Sequence, residues 1–252
     1  MVTLDQNQWN LVYNVFSFGL VSMLACTVYT LVSQARVLPK YRNALVMSSM
    51  VTFIAGYHYW RIFNSFSEAS TGTTVDASGK PGSFNEAYRY VDWLLTVPLL
   101  LVEVVAVLAL AATVSKSLIM RLVPASAAMI ALGYPGEVAT KQGDQILYGV
   151  LSTLPFIYIL YVLFVELTKS LDRQPEGVVK TVKNLRLLLI ATWGVYPIAY
   201  MFNIWGNSGP ESFVAIQVGY TIADVLAKCV FGLTILKIAR MKSHAEGMAA
   251  DH

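Results

Sequence analysis

Seven stretches of this chain are each long and apolar enough to fill a bilayer. They run over roughly residues 9–33, 43–64, 87–113, 117–136, 144–169, 182–205 and 213–239. A spanning helix needs about 20 consecutive, mostly apolar residues, and these stretches take up most of the 252 residues. The expected fold is therefore an all-α membrane protein. Residues 1–252 form one seven-transmembrane-helix domain, with no soluble domain left over and no visible internal repeat. No small-residue cleavage site follows the first stretch, so it reads as a helix and not as a removable signal peptide. Composition excludes the main alternatives. Hydrophobic residues make up 56 % and charged residues 13 %, against roughly 25 % charged in an average soluble protein. A net charge of +3 is too small, and too scattered, for a nucleic-acid binder. Disorder requires low hydrophobicity. Cys26 and Cys229 fall inside apolar runs and read as two small buried hydrophobes. No nucleophile–base set and no metal-ligand cluster supports an enzyme.

Basic residues near helix ends set the orientation. One side carries Arg36, Lys40 and Arg42, then Lys116 and Arg121. It also carries Lys169, Arg173, Lys180, Lys183 and Arg186, and finally Lys237, Arg240 and Lys242. The other side carries Arg61, Lys80 and Lys141. The richer side faces the cytoplasm, so the N-terminus lies outside and the C-terminus inside. The longest loop, 65–86, is then external. Its TGTTVDASGKPGSF run can close a short β-hairpin around Ser78-Gly79-Lys80.

Ionisable groups at membrane depth are costly and mark function by default. The third span holds Asp92 and Glu103, with Arg89 near its outer end. The seventh holds Asp224 and Lys228. Asp92 and Glu103 are eleven residues apart, which puts them on one helix face about 16 Å apart along the axis. Thr96 lies one turn from Asp92, and Asp224 one turn from Lys228. Facing each other, the two spans would set one nitrogen near mid-membrane, with two carboxylates on its outer side and a third carboxyl on its inner side. That is a proton path with a swappable centre. The alternative is a buried salt bridge that only orients helices, which has no need for Glu103.

The third span reads RYVDWLLTVPLLLVE and the seventh DVLAKCVFGL. With these motifs the chain resembles the microbial rhodopsins, and within them the outward proton pumps of the xanthorhodopsin and proteorhodopsin group, across essentially all seven spans. The resemblance implies all-trans retinal held as a protonated Schiff base on Lys228, with Asp92 and Asp224 as counterions. Asp92 would also be the primary proton acceptor. Glu103, kept neutral by apolar surroundings, would be the cytoplasmic donor. Asp92, Thr96 and Glu103 match the Asp-Thr-Glu signature of proton pumps, whereas sodium pumps of the family carry Asn, Asp and Gln there. The proton would leave outward, near Arg89. His58, in GYHYW, matches a histidine that bonds the acceptor in this group; a lone membrane histidine can equally be hydrogen-bonded filler.

Trp193, Tyr196, Pro197 and Tyr200 recur at helical spacing, which by itself usually means packing. The WGVYP run matches residues that sandwich retinal in the family. By the same resemblance Trp93 would cover the polyene, and Tyr59 would pair with Asp224 near the Schiff base. Counting back from Ser152-Thr153 would put Met129 and Gly133 by the ring. Leu100 occupies a colour-tuning position that implies green absorption. Gly149 stands where archaeal pumps carry Trp. It either packs the fifth span close to a neighbour or opens a window for a hydroxylated carotenoid antenna. Archaeal pumps hold paired glutamates at the outer ends of the last two spans. The matching stretch here, FNIWGNSGPES, has only Glu211, so release late in the cycle, straight from Asp92, is expected.

The partners implied are protons, lipid and further copies of the chain as a trimer or pentamer, in a prokaryotic inner membrane. Two rivals stand beside the pump. A sensory photoreceptor would share fold and chromophore, but sensors usually lack a carboxyl donor like Glu103. A seven-helix receptor or transporter without retinal would leave Lys228 unexplained.

Overall fold

The computed structural model describes residues 1–169, 171, 172, 174–204 and 209–248. Arg173, the Trp205 end of the sixth span and the centre of the FNIWGNSGPES stretch lie outside the described residues. The chain folds into seven helical spans. The first is α1 (Gln6–Val32), followed by α2 (Pro39–Glu68), α3 (Ala87–Leu108) and α4 (Ala112–Glu137). The fifth, α5, runs as Gln142–Tyr161, a π-helical stretch Val162–Glu166 and Leu167–Lys169. The sixth, α6, comprises Glu176–Trp193 and Val195–Ile204. The seventh, α7, comprises Pro210–Asp224, a π-helical stretch Val225–Val230 and Phe231–Ala245.

Local chemistry explains where these helices begin and end. Asp5 caps α1 in a capping box: its side chain accepts from the Gln8 backbone N–H, and the Gln8 side chain accepts from the Asp5 N–H. Pro39 and Pro210 open α2 and α7, where a missing N–H costs nothing. The third span was expected to run to residue 113, but it stops at Leu108, because Ala109 adopts a left-handed conformation at φ 47°. The turn lies inside the apolar run LALAATV, so hydropathy alone cannot mark it. Lys242 Nζ then donates to the Leu108 carbonyl at 2.5 Å. Burial pushes this ammonium down to about 8.

Four of the helical segments, Gln6–Arg36, Ala87–Leu108, Ala112–Glu137 and Gln142–Val165, are each long and apolar enough to cross a membrane by length and composition. The other three differ for physical reasons. The α2 helix buries Ser48, Ser49, Thr52 and His58. The start of α6 carries Glu176, Lys180 and Lys183, and α6 is interrupted at Gly194. The π-turn divides α7.

The loop 65–86 does contain a hairpin, but not where its sequence suggested. Ser70–Thr71 (β2) pairs antiparallel with Thr74–Val75 (β3), and Val2–Thr3 (β1) joins the other edge of β3. The turn is at Gly72, with φ 61°. Around Ser78-Gly79-Lys80 the chain coils instead. Asp76 Oδ1 accepts from the Ser78 N–H, and Gly79 and Gly82 also have positive φ. An Asx turn of this kind competes with strand pairing.

Packing is dense wherever helices cross near the charges. Gly19 of α1 lets Tyr59 and Thr221 approach: a Cβ there would stand 2.6 Å from the Tyr59 ring and 2.9 Å from Thr221. At the inner end, Lys40 and Tyr41 both bind Glu246, tying α2 to the end of α7. These hydrogen bonds hold the Glu246 carboxyl below the usual range.

Candidate functional site

The site is built where α3 and α7 face each other. Lys228 Nζ, on a fully buried side chain, lies 2.6 Å from Asp92 Oδ2 and 2.7 Å from Asp224 Oδ1. Each pair is a salt bridge with both partners buried. Taking an ion out of water costs several kcal/mol unless partners compensate, and here the compensation is layered. Asp224 Oδ2 accepts from Tyr59 Oη at 2.8 Å. Asp224 Oδ1 accepts from Tyr196 Oη at 2.7 Å and from Trp93 Nε1 at 3.3 Å. Asp92 is less fully bound. Its Oδ1 has no hydrogen-bond partner among the described residues. Thr96 Oγ1 donates to the Asp92 backbone carbonyl at 2.8 Å and not to the carboxylate.

His58 is beside Asp92, but not bonded to it. Its Nδ1 stands 3.9 Å from Asp92 Oδ1 and 2.9 Å from the Ile54 carbonyl of its own helix. The expected His58–Asp92 pair is thus present at ion-pair distance and without a direct hydrogen bond, since Nδ1 is engaged by the Ile54 carbonyl.

On the outer side, Arg89 is 2 % exposed. Its Nη1 is 3.9 Å from Asp224 Oδ2, and its Nη2 donates to Gln217 Oε1 at 2.8 Å. Its guanidinium carbon lies 5.2 Å from the centre of the Tyr220 ring, a favourable cation–π distance. Glu103, on the inner side, is fully buried, and neither oxygen has a hydrogen-bond partner among the described residues. An ionised carboxylate there would lack a compensating hydrogen bond among the described residues.

A cavity of about 510 Å³ opens from Lys228, within the range of about 300–1,000 Å³ typical of small-molecule sites. Trp93, Leu100, Met129, Gly133, Gly149 and Ser152 line it. Thr153, Trp193, Tyr196, Pro197 and Tyr200 complete the set expected from sequence. Tyr59 alone of the expected cofactor-binding residues lies off the cavity, at Asp224. Ser152 Oγ donates to the Met129 carbonyl at 2.8 Å, and the Ser152 side chain lies against Gly133. The Tyr200 ring lies against Gly149, where a Cβ would stand 3.0 Å from its edge, and its hydroxyl donates to the Gln145 carbonyl at 2.6 Å.

Several residues of the site went unremarked in the sequence. Gln217 is two helical turns before Asp224 on the same face, and an amide inside an apolar span was the available signal. Glu86 lies one turn before Arg89. Tyr90, Phe156 and Tyr220 line the cavity, but as aromatics in apolar runs they carry no separate signal. The π-turn that contains Lys228 has no sequence signature either, although such turns occur frequently at functional sites. Both cysteines are buried and free, as expected.

Inside seven helices, the site thus combines a buried lysine flanked by two carboxylates with the end of an aromatic-lined cavity. The profile of the bacteriorhodopsin-like protein family matches residues 10–241. The green-light absorbing proteorhodopsin of Gamma-proteobacterium EBAC31A08 is 32 % identical over 235 residues, covering 92 % of this chain and 88 % of that one. Among solved structures, xanthorhodopsin, described as a light-driven ion pump with dual chromophore, aligns with a TM-score of 0.92 at 47 % identity, covering 99 % of this chain and 100 % of that one. A thermophilic rhodopsin aligns with a TM-score of 0.93 at 44 % identity, covering 98 % and 100 %. The chain belongs to the bacteriorhodopsin-like family of integral membrane proteins.

The site predicts its own energetics. Asp224→Asn removes the charge of the more heavily bonded carboxylate and leaves Lys228 with one anionic partner. Breaking a buried pair costs about 3–5 kcal/mol, whereas Thr96→Val removes one hydrogen bond, worth about 0.5–1.5 kcal/mol. Thermal unfolding of the purified proteins in detergent is expected to show a clearly larger drop in midpoint for Asp224→Asn.

Proposed function

We propose that the protein is a light-driven outward proton pump, with all-trans retinal carried on Lys228. The observation that carries this reading is the arrangement along one axis. A buried nitrogen sits between two carboxylates, an arginine lies on the outer side, and an isolated carboxyl lies one helix segment further in. The cavity fits an elongated apolar molecule attached at the Lys228 end. Its aromatic walls bury hydrocarbon, and its charged group is the Lys228 nitrogen. When bound, retinal supplies light absorption and an isomerisation that alters the proton affinity and direction of the Lys228 nitrogen.

The chain's own groups do the rest. Asp92 is the acceptor, because Oδ2 is 2.6 Å from the Lys228 nitrogen and Oδ1 is unengaged. Asp224 remains the anion, since three side-chain donors besides Lys228 satisfy its charged form. Glu103 holds a proton in a dry, apolar setting and returns it to the nitrogen from the inner side. Arg89 favours negative charge on the outer side and draws the transferred proton outward. Trp93, Trp193, Tyr196 and Pro197 line the cavity next to Lys228 and would hold the chain of the chromophore. Leu100 sets its colour. Met129, Gly133, Ser152 and Thr153 shape the far end of the cavity. A prokaryotic cell membrane, with protons delivered outside, suits this direction of transport.

The test uses intact cells expressing the chain with added all-trans retinal, illuminated with green light in unbuffered medium. External acidification is expected, abolished by a protonophore and lost in Lys228→Ala and Asp92→Asn. Coloured cells with no pH change would overturn pumping and leave a sensory role for the same pigment.

The reading extends to an antenna. Gly149 and Val150 bring the cavity wall to the lipid-facing side of α5, where Val150 is exposed. A hydroxylated carotenoid laid there would meet the pocket across a glycine. Xanthorhodopsin's dual chromophore supports this. Adding such a carotenoid is expected to produce energy transfer to retinal in an excitation spectrum. Gly149→Trp should abolish that transfer, and transfer that survives would remove the window.

A further inference from the structure

Arg89 is buried beside the charge cluster, yet only one of its guanidinium nitrogens, Nη2, has a hydrogen-bond partner among the described residues. That partner is the carbonyl end of the Gln217 amide. A terminal amide presents an acceptor at one end and donors at the other, so which end faces Arg89 has to be fixed. Glu86 fixes it. Its Oε1 accepts from Gln217 Nε2, and a rotated amide would turn its donors toward the arginine and its oxygen toward the carboxylate. Glu86 is the N-cap residue of α3 and accepts the Arg89 backbone N–H on its own carbonyl at 3.0 Å. It also borders a second cavity, a polar vestibule of about 1,060 Å³ formed with the 65–86 loop. The carboxylate thus stands between the outer vestibule and the arginine.

We propose that Glu86 is a positioning residue for proton transfer: acting through Gln217, it holds the Arg89 guanidinium on the outer side of the Asp92–Lys228–Asp224 cluster. This rests on the retinal-pump reading and deepens it. With the amide fixed, Arg89 is shared between Gln217 and the cluster. Without Glu86, the amide is free to turn, and Arg89 loses its acceptor. The carboxylate acceptor left to it in the cluster is Asp224 Oδ2, at 3.9 Å. Arg89 would then lie closer to Asp224 and favour negative charge in the cluster more strongly. The charged and titratable groups facing Asp92 are Lys228 and Asp224 of α7, His58 of α2 and Tyr196 of α6. Those facing Arg89 are Tyr59 of α2, Tyr220 and Asp224 of α7, and Glu86 itself.

The test uses the full chain loaded with all-trans retinal. The readouts are the pH midpoint of the visible colour change on acidification and the timing of proton release to a pH dye after a flash. Glu86→Ala is expected to move the midpoint to lower pH by about half a unit or more and to alter release. Glu86→Gln keeps an amide oxygen where Oε1 stands, so its shift should be less than half as large. Gln217→Leu should reproduce the Glu86→Ala shift, and adding Glu86→Ala to it should move nothing further, since residues acting in one chain are not additive. A coloured wild type with an unmoved Glu86→Ala overturns the positioning role. So do equal shifts for Ala and Gln that add to Gln217→Leu, because Glu86 would then act by charge alone. A wild type that stays colourless with retinal overturns the proposal together with the reading beneath it.

Discussion

A lysine ammonium at the centre of a bilayer must find negative charge within the protein, and the rest of this structure is arranged around that requirement. Lys228 and Arg89 are two buried cations, and Asp92 and Asp224 are two buried carboxylates. The cluster is therefore balanced as it stands. Glu103 is outside the balance, with no hydrogen-bond partner for either carboxyl oxygen among the described residues, as the proposed role of proton donor requires. The asymmetry between the carboxylates has the same origin. Asp224 takes donors from α2, α3 and α6, while Asp92 keeps one oxygen free. That difference is what the proposed division between a lasting anion and a proton acceptor needs.

The helices supply the precision this needs. Gly19 brings α1 against Tyr59, which reaches Asp224. The π-turn in α7 contains Lys228, and the interruption of α6 at Gly194 stands beside Trp193, Tyr196 and Pro197. Departures from regular helix therefore coincide with the cofactor wall and the charge cluster. The outer layer runs by hydrogen bonds from Arg89 to Gln217 to Glu86, which borders the vestibule.

Much of this was legible in the sequence because membrane burial leaves few explanations for a charge. Asp92, Asp224, Lys228 and Glu103 stood out for that reason, and helical spacing placed them on facing sides. The cavity wall was legible through the WGVYP and RYVDWLL motifs. What escaped were features with no periodic or compositional mark. The turn at Ala109 lies inside an apolar run. The hairpin turns at Gly72, since the Asp76–Ser78 contact coils the next stretch. His58 was placed correctly beside Asp92, but sequence could not show that its ring nitrogen is spent on Ile54. Gln217 and Glu86 carried a polar signal, but the hydrogen bond that joins them exists only in three dimensions.

The central claim is that Lys228 bears the chromophore. The most direct measurement is the visible spectrum of the purified protein after addition of all-trans retinal, followed by borohydride reduction under illumination and peptide mass mapping. The account predicts a coloured protein with a single retinyl adduct on the peptide that contains Lys228. An unmodified Lys228 peptide from coloured protein, or an adduct on another lysine, would contradict it.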